Sequence, residues 1–138
     1  MGLFFLLMQK AECRNAECEG IHARKCHLGK KLCLFCPRSS SISASSKRKK
    51  EYVLSKQFLR SATSIGANVH EANNAQSKKD FISKMYISYK EATETEYWIK
   101  LLTETEYFTD AEGSSLLTDC VELKQILTAI LKSAKRSV

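Results

Sequence analysis

The chain has 138 residues, the length of one ordinary domain, and 22 Lys and Arg against 15 Asp and Glu give it a formal net charge of +7. The excess is local: residues 1–50 carry 11 basic and 3 acidic side chains and residues 51–138 carry 11 and 12, while five of the six cysteines and the only proline, Pro37, fall in the first part. This excludes a uniformly basic nucleic-acid domain, leaves little room for a large catalytic fold, and divides the chain into an N-terminal segment, 1–47, and a helical domain, 48–138.

In the N-terminal segment the run Leu3-Phe4-Phe5-Leu6-Leu7-Met8 is the only strongly apolar stretch. It is far shorter than the roughly 20 residues of a membrane helix. No basic side chain precedes it and Gln9-Lys10 follow at once, which is not the pattern of a secretory signal. The expectation is a cytoplasmic protein away from membranes, with reduced thiols in place of a disulfide framework. Cys13, Cys18, His22, Cys26, His27, Cys33 and Cys36 supply enough ligand atoms for zinc, and Cys33-Leu-Phe-Cys36 is one C-x2-C pair. The other spacings match no zinc ribbon or knuckle, so the reading is an irregular Cys/Ser-rich segment with no metal and incidental cysteines, a structural zinc site being the competing one. A redox role for the pair lacks the βαβ context it needs.

From Glu51 the pattern turns regular. Leu54, Phe58, Ala62, Ile65, Val69 and Ala72 recur at helical spacing on one face, and the first helix is expected to stop near Asn73-Asn74. Gly66 interrupts it at a cost of about 1 kcal/mol relative to Ala, which implies that a neighbouring helix approaches closely there. Ser77-Lys78-Lys79-Asp80 resembles a capping box, with the Ser hydroxyl accepting from a backbone N–H three residues on. Phe81, Met85, Tyr89 or Ser88, Ala92, Thr95, Ile99 and Leu102 carry an apolar face through a helix of up to about 30 residues. Asp110-Ala-Glu-Gly113-Ser-Ser reads as the next break, followed by a heptad-like seam of Leu116, Cys120, Leu123, Leu127, Ile130 and Ala134. Lys132, Lys135 and Arg136 then sit at the carbonyl end that favours cations. Three such helices with short loops make an up-and-down bundle that still asks for a covering element: a fourth helix from residues 1–50, another subunit, or both.

The strings from Glu51 to Ala72 and from Ser77 to Leu102 resemble the bacterial four-helix-bundle proteins of the 23S rRNA intervening-sequence, or S23, family, over about residues 48–136. The resemblance implies an all-α, up-down-up-down antiparallel four-helix bundle that often assembles as a ring-like homopentamer. It also implies, from a related branch, an accessory role in contact with a reverse transcriptase and nucleic acid. For the main branch it implies no settled activity. The chain departs from the family at the first helix, where Lys30 to Ser46 holds Pro37 and a serine run in place of an amphipathic stretch. Back-translation offers a reason. Lys30 to Leu34 can be written AAA AAG CTT TGC CTT, which one nucleotide later reads Lys-Ser-Phe-Ala. Ser41 to Ser46 shifts likewise to Leu-Tyr-Gln-His-Leu, so residues 28–47 are readable as an out-of-frame first helix.

The candidate nucleic-acid contacts are Lys47, Arg48, Lys49 and Lys50, a short basic run able to meet phosphates non-specifically, and Lys78 and Lys79 in a first helical turn beside free N–H groups. In each case a solvated surface is the competing reading. Glu91, Glu94, Glu96, Glu104 and Glu106 lack the Glu-x-x-His pairs of a bundle di-metal site and read as surface charges, with Glu91 or Glu94 pairing Arg60 across the bundle. Trp98, Tyr97 and Tyr107 read as core or interface aromatics ahead of base-stacking ones. Thr63 to Asn68 has one Gly and lies in a helix, so it is no phosphate loop. No serine nucleophile has a His and an acid at recognisable spacing, and the expectation is a non-enzymatic protein without cofactor. Its partners would be RNA or DNA, or else a protein bound by an oligomeric scaffold.

Overall fold

The structure is a computed structural model, and it describes residues 28, 31, 34, 35, 38, 39 and 52–136. Among these residues the regular structure is all α-helical, with α1 at Val53–Asn73, α2 at Lys78–Glu104 and α3 at Asp110–Arg136. Helix α1 packs on α2 and α2 on α3. Across the first pair Glu71 meets Lys84, Ile65 meets Ser88 and Ser61 meets Thr95, so residue numbers rise on one helix as they fall on the other and the two run antiparallel. Thr103 against Gly113 starts the second pair in the same sense. The three helices therefore run up, down and up.

The apolar stripes read from the sequence are the faces that pack. On α1 Phe58, Ala62, Ile65, Val69 and Ala72 are buried, with Leu54 half-buried at the stripe's end. On α3 the heptad-like seam is wholly buried and is widened by Ile126 and Leu131. On α2 Met85, Ala92, Ile99 and Leu102 point inward, and of the two alternatives it is Ser88 that is buried while Tyr89 packs at the edge. The reason is the closeness of α1. Ser88 Oγ donates to the carbonyl of Ile65 at 3.0 Å, and Thr95 Oγ1 meets Ser61 Oγ at 2.9 Å, so small polar side chains fill the seam and no buried hydroxyl there is wasted. The Cys120 thiol makes the equivalent contact from α3, donating to the carbonyl of Ala92 at 3.2 Å.

The break between α2 and α3 falls at 105–109 and not at 110–115. Glu106 takes a left-handed backbone, φ 60°, and the N–H groups of Tyr107 and Phe108 both donate to the carbonyl of Leu102. Phe108 then turns into the core, edge-on to Phe58 with ring centroids 5.3 Å apart. Thr109 caps α3. Its hydroxyl accepts from the Glu112 N–H at 3.3 Å while the Glu112 carboxylate accepts from the Thr109 N–H at 2.9 Å, a reciprocal capping box. Gly113, expected in a loop, is thus inside the helix and buried, and it marks a close helix approach: a Cβ there would lie 2.1 Å from Thr103 Oγ1. Gly66, where such an approach was expected, is half-buried.

The expected irregular segment 1–47 falls outside the described residues at all but six positions, and at those six the backbone is helical. Leu28 and Phe35 are fully buried in the same apolar cluster as the three helices. Lys31 pairs with Glu122, and Arg38 pairs with Asp119 and meets Ser115. Positions 28, 31, 35 and 38 are spaced 3, 4 and 3, so one helical face delivers the two apolar side chains to the core and the two cations to α3. Pro37, the serine run and the Cys/His cluster from Cys13 to Cys36 lie outside the described residues.

Candidate nucleic-acid interface

Of the six basic residues singled out in the sequence, Lys47, Arg48, Lys49 and Lys50 lie outside the described residues. Lys78 and Lys79 are exposed in the first turn of α2. The cap of that helix engages the Asp80 N–H, one of the first-turn donors an anion would need. Ser77 Oγ accepts from the Asp80 N–H at 3.1 Å, the Ser77 carbonyl accepts from the Phe81 N–H, and the Asp80 carboxylate accepts from the Gln76 N–H at 3.3 Å. The Asp80 carboxylate already lies at the positive end of the helix dipole, where it competes with an incoming anion.

The outward face of α2, opposite Ala92, Thr95 and Ile99, holds the most distinctive surface of the described residues. Tyr86 is 47% exposed and Tyr97 57%. The Lys90 ammonium sits over the Tyr86 ring, 5.6 Å from its centroid, and Tyr97 meets Trp98 edge-on at 4.9 Å. Trp98 and Tyr107 are half-buried against the core, as their reading as core aromatics required, whereas Tyr97 stands in solvent. The signal for this face was present in the sequence: Tyr86, Lys90 and Tyr97 recur at 4 and 7, the spacing of one helical line.

On the flanks of α2 the Glu94 and Glu96 carboxylates are engaged by cations. Glu94 accepts from Trp98 Nε1 at 3.1 Å and lies 3.8 Å from Arg60 on α1, the cross-bundle pair anticipated from the sequence. Glu96 accepts from Lys100 and from Lys124 on α3, each at 2.6 Å. The two lysine hydrogen bonds hold the Glu96 carboxyl below its ordinary range, and the Glu96 bond raises Lys124. Lys124 also lies over the Tyr89 ring at 5.7 Å. Beneath this network burial, reinforced by the Glu96 charge, pushes the Cys120 thiol up to about 12. That thiol is protonated and inert at neutral pH, unlike the thiolate a nucleophile or metal ligand requires. Among the described residues no three His, Cys, Asp or Glu side chains are grouped to hold a metal ion, and no helix is long and apolar enough to cross a membrane.

Comparison with known proteins adds a family. No curated protein matches the chain. A crystal structure of a protein with unknown function from the S23 ribosomal protein family, from Bacteroides thetaiotaomicron, is similar at 45% identity with a TM-score of 0.74. The match covers 76% of this chain and 98% of that one. The family model of the 23S rRNA-intervening sequence protein matches residues 25–129, a span that takes in the helical positions from Leu28 to Ser39 as well as α1, α2 and most of α3. The chain belongs to the 23S rRNA-intervening sequence protein family.

Proposed function

We propose that the protein is a non-enzymatic, nucleic-acid-associated accessory protein built on an antiparallel four-helix bundle. The helical backbone at Leu28, Lys31, Leu34, Phe35, Arg38 and Ser39, with Leu28 and Phe35 in the common core, supports a further helix in that bundle. The observation that carries this reading is the division of labour among its side chains. Among the described residues the Cys120 thiol and the Glu94 and Glu96 carboxylates are engaged by packing and ion pairs, while exposed cations and aromatic rings remain on the outer face of α2. The arrangement suits a binding surface. Family membership supports the bundle, and the accessory role that the resemblance implies from a related branch supports the partner. The protein acts in the cytoplasm without cofactor, as a homo-oligomer, pentameric by the same resemblance. Lys47 to Lys50 add their charge to the phosphate contacts.

A titration of the full chain with structured RNA across a salt series tests this. The expected result is an affinity that falls steeply as salt rises, because phosphate contacts release counterions. Binding that is absent, or indifferent to salt, refutes it. The second reading is an oligomeric scaffold for protein partners. Leu34, Val53 and Val121 favour it, as aliphatic side chains left 69, 70 and 38% exposed. Salt-insensitive capture of a protein partner by the purified oligomer, without nucleic-acid binding, would establish that alternative.

A further inference from the structure

We propose that the outward line of α2, formed by Lys79, Tyr86, Lys90, Tyr97 and Lys100, is a stacking surface for single-stranded nucleic acid. The proposal rests on the nucleic-acid reading above and places its site.

The five positions are spaced 7, 4, 7 and 3 along one helix. At 100° per residue they fall within an arc of about 80°, and at 1.5 Å per residue the line runs for about 30 Å. All five side chains are exposed. The line faces away from both neighbours, since α1 and α3 occupy the inner flanks of α2 through Ser88, Ala92 and Thr95. Cations and rings alternate along it, with the exposed Thr93 between Lys90 and Tyr97 and the exposed Glu104 carboxylate one turn beyond Lys100. Among the described residues neither Lys79 nor Lys90 is paired with a carboxylate, whereas Lys100 shares Glu96 with Lys124.

Two arguments choose the occupant. The first is charge. Lysine is depleted at the centres of protein interfaces because its compact ammonium is strongly hydrated, and a second protein laid on this line would have to dehydrate two unpaired ammoniums. Phosphates at the spacing of a nucleic-acid backbone complement them. The second is shape. Tyr86 and Tyr97 stand on the convex outside of a helix about 16 Å apart along its axis. Their rings can meet bases that are already unstacked, and cannot reach those inside a duplex, whose faces are covered. The Lys90 ammonium now over the Tyr86 ring is a surface group free to swing outward, so a base arriving on the ring would find a cation beside it for its phosphate.

The test is fluorescence anisotropy of the full chain with labelled oligouridylate of about 15 nucleotides, alongside an RNA duplex of equal length. Sedimentation of each variant runs in parallel. The single strand should bind more tightly than the duplex. Tyr86→Ala and Tyr97→Ala should each weaken it about tenfold, and the Phe variants should retain binding because stacking uses the ring and not the hydroxyl. Lys90→Ala should reduce the salt slope by about 0.7. If the parent chain binds the single strand and the Ala variants bind it equally well, the stripe is not the site, although the broader nucleic-acid reading survives. If the parent chain binds neither strand nor duplex, both fail. If the Ala variants instead dissociate an oligomer, the stripe is a self-association surface and the proposal is overturned.

Discussion

Gly113→Ala should destabilise this protein although it adds a better helix former to a helix interior. On propensity alone the change is worth about 1 kcal/mol in favour of Ala. Against it, the new Cβ would lie 2.1 Å from Thr103 Oγ1, 2.8 Å from its Cγ2 and 3.0 Å from its Cβ. Rotating the Thr103 side chain relieves the first two contacts but breaks the hydroxyl's 2.8 Å bond to the Ile99 carbonyl, and no rotation moves the Cβ. The helices must therefore part by a few tenths of an ångström at their first contact. Overpacking of this kind costs roughly 1–3 kcal/mol, so the net loss should be about 1 kcal/mol. Urea denaturation followed by circular dichroism reads it as a lower midpoint at unchanged slope. Thr103→Ala removes Oγ1 and Cγ2, and in that background Gly113→Ala should recover most of the loss, a coupling of about 1 kcal/mol in the double-mutant cycle. A midpoint that rises in the single Gly113→Ala variant would show that propensity wins and that the approach is not tight. A double variant no more stable than expected from additivity would place the clash elsewhere.

Three further outcomes follow from the core and its charged flank. Phe35→Ala should cost about 3 kcal/mol, the usual penalty for emptying a buried aromatic site, because Phe35 is 1% exposed within the common core. An unchanged denaturation midpoint would mean that residues 28–39 do not wall the bundle, and sequencing the gene across codons 20–50 would then decide whether an out-of-frame helix lies there. Stability should also depend on Glu96 at low pH. Its carboxyl lies below the ordinary 4.5 in the folded chain, so its contribution is fully present above 4.5 and is lost as pH falls through the lowered folded value. Glu96→Gln should flatten that acid limb of the denaturation midpoint against pH, and an identical limb in the variant would remove Glu96 as its cause. Cys120 should resist alkylation at neutral pH in the folded chain and react once it is denatured, since burial holds its thiol at about 12. Peptide mapping by mass spectrometry separates it from the other cysteines, and equal labelling of Cys120 in both states would contradict its burial.

The helical faces were legible because burial is periodic. Every residue placed on the α3 seam is buried, and the α1 stripe differs only at Leu54, where the helix begins. What the pattern could not choose was Ser88 over Tyr89, since periodicity ranks positions by hydrophobicity while the close approach of α1 selects by size. The break before α3 was displaced for a related reason. Gly113 looks like punctuation in the sequence, yet its missing side chain serves a helix contact. The true turn contains neither Gly nor Pro and rests on Glu106 at positive φ. Its signal was the Thr109-x-x-Glu112 spacing, a capping box as readable as the one at Ser77. The surface was less legible than the core. Tyr97 and Trp98 are adjacent in sequence and identical in class, and only the orientation of α2 puts one in solvent and the other against the core. The cross-bundle pair of Arg60 with Glu94 was accessible because charges left off an apolar stripe must lie along its borders.

The Thr95 to Ser61 hydrogen bond at the centre of the α1–α2 seam has a consequence for the register of the hairpin. Two amphipathic helices with near-heptad stripes can slide past each other by seven residues and still oppose apolar faces. Here a slide of α1 would bring Leu54 or Asn68 to the place Ser61 occupies. The first is too large for a seam built on Ser88, Ala92 and Thr95, and deprives the Thr95 hydroxyl of its partner across the seam. The second is larger than the serine it would replace and crowds the same seam. The buried hydroxyls thus act as a vernier, contributing little to the energy of association and penalising every alignment but one.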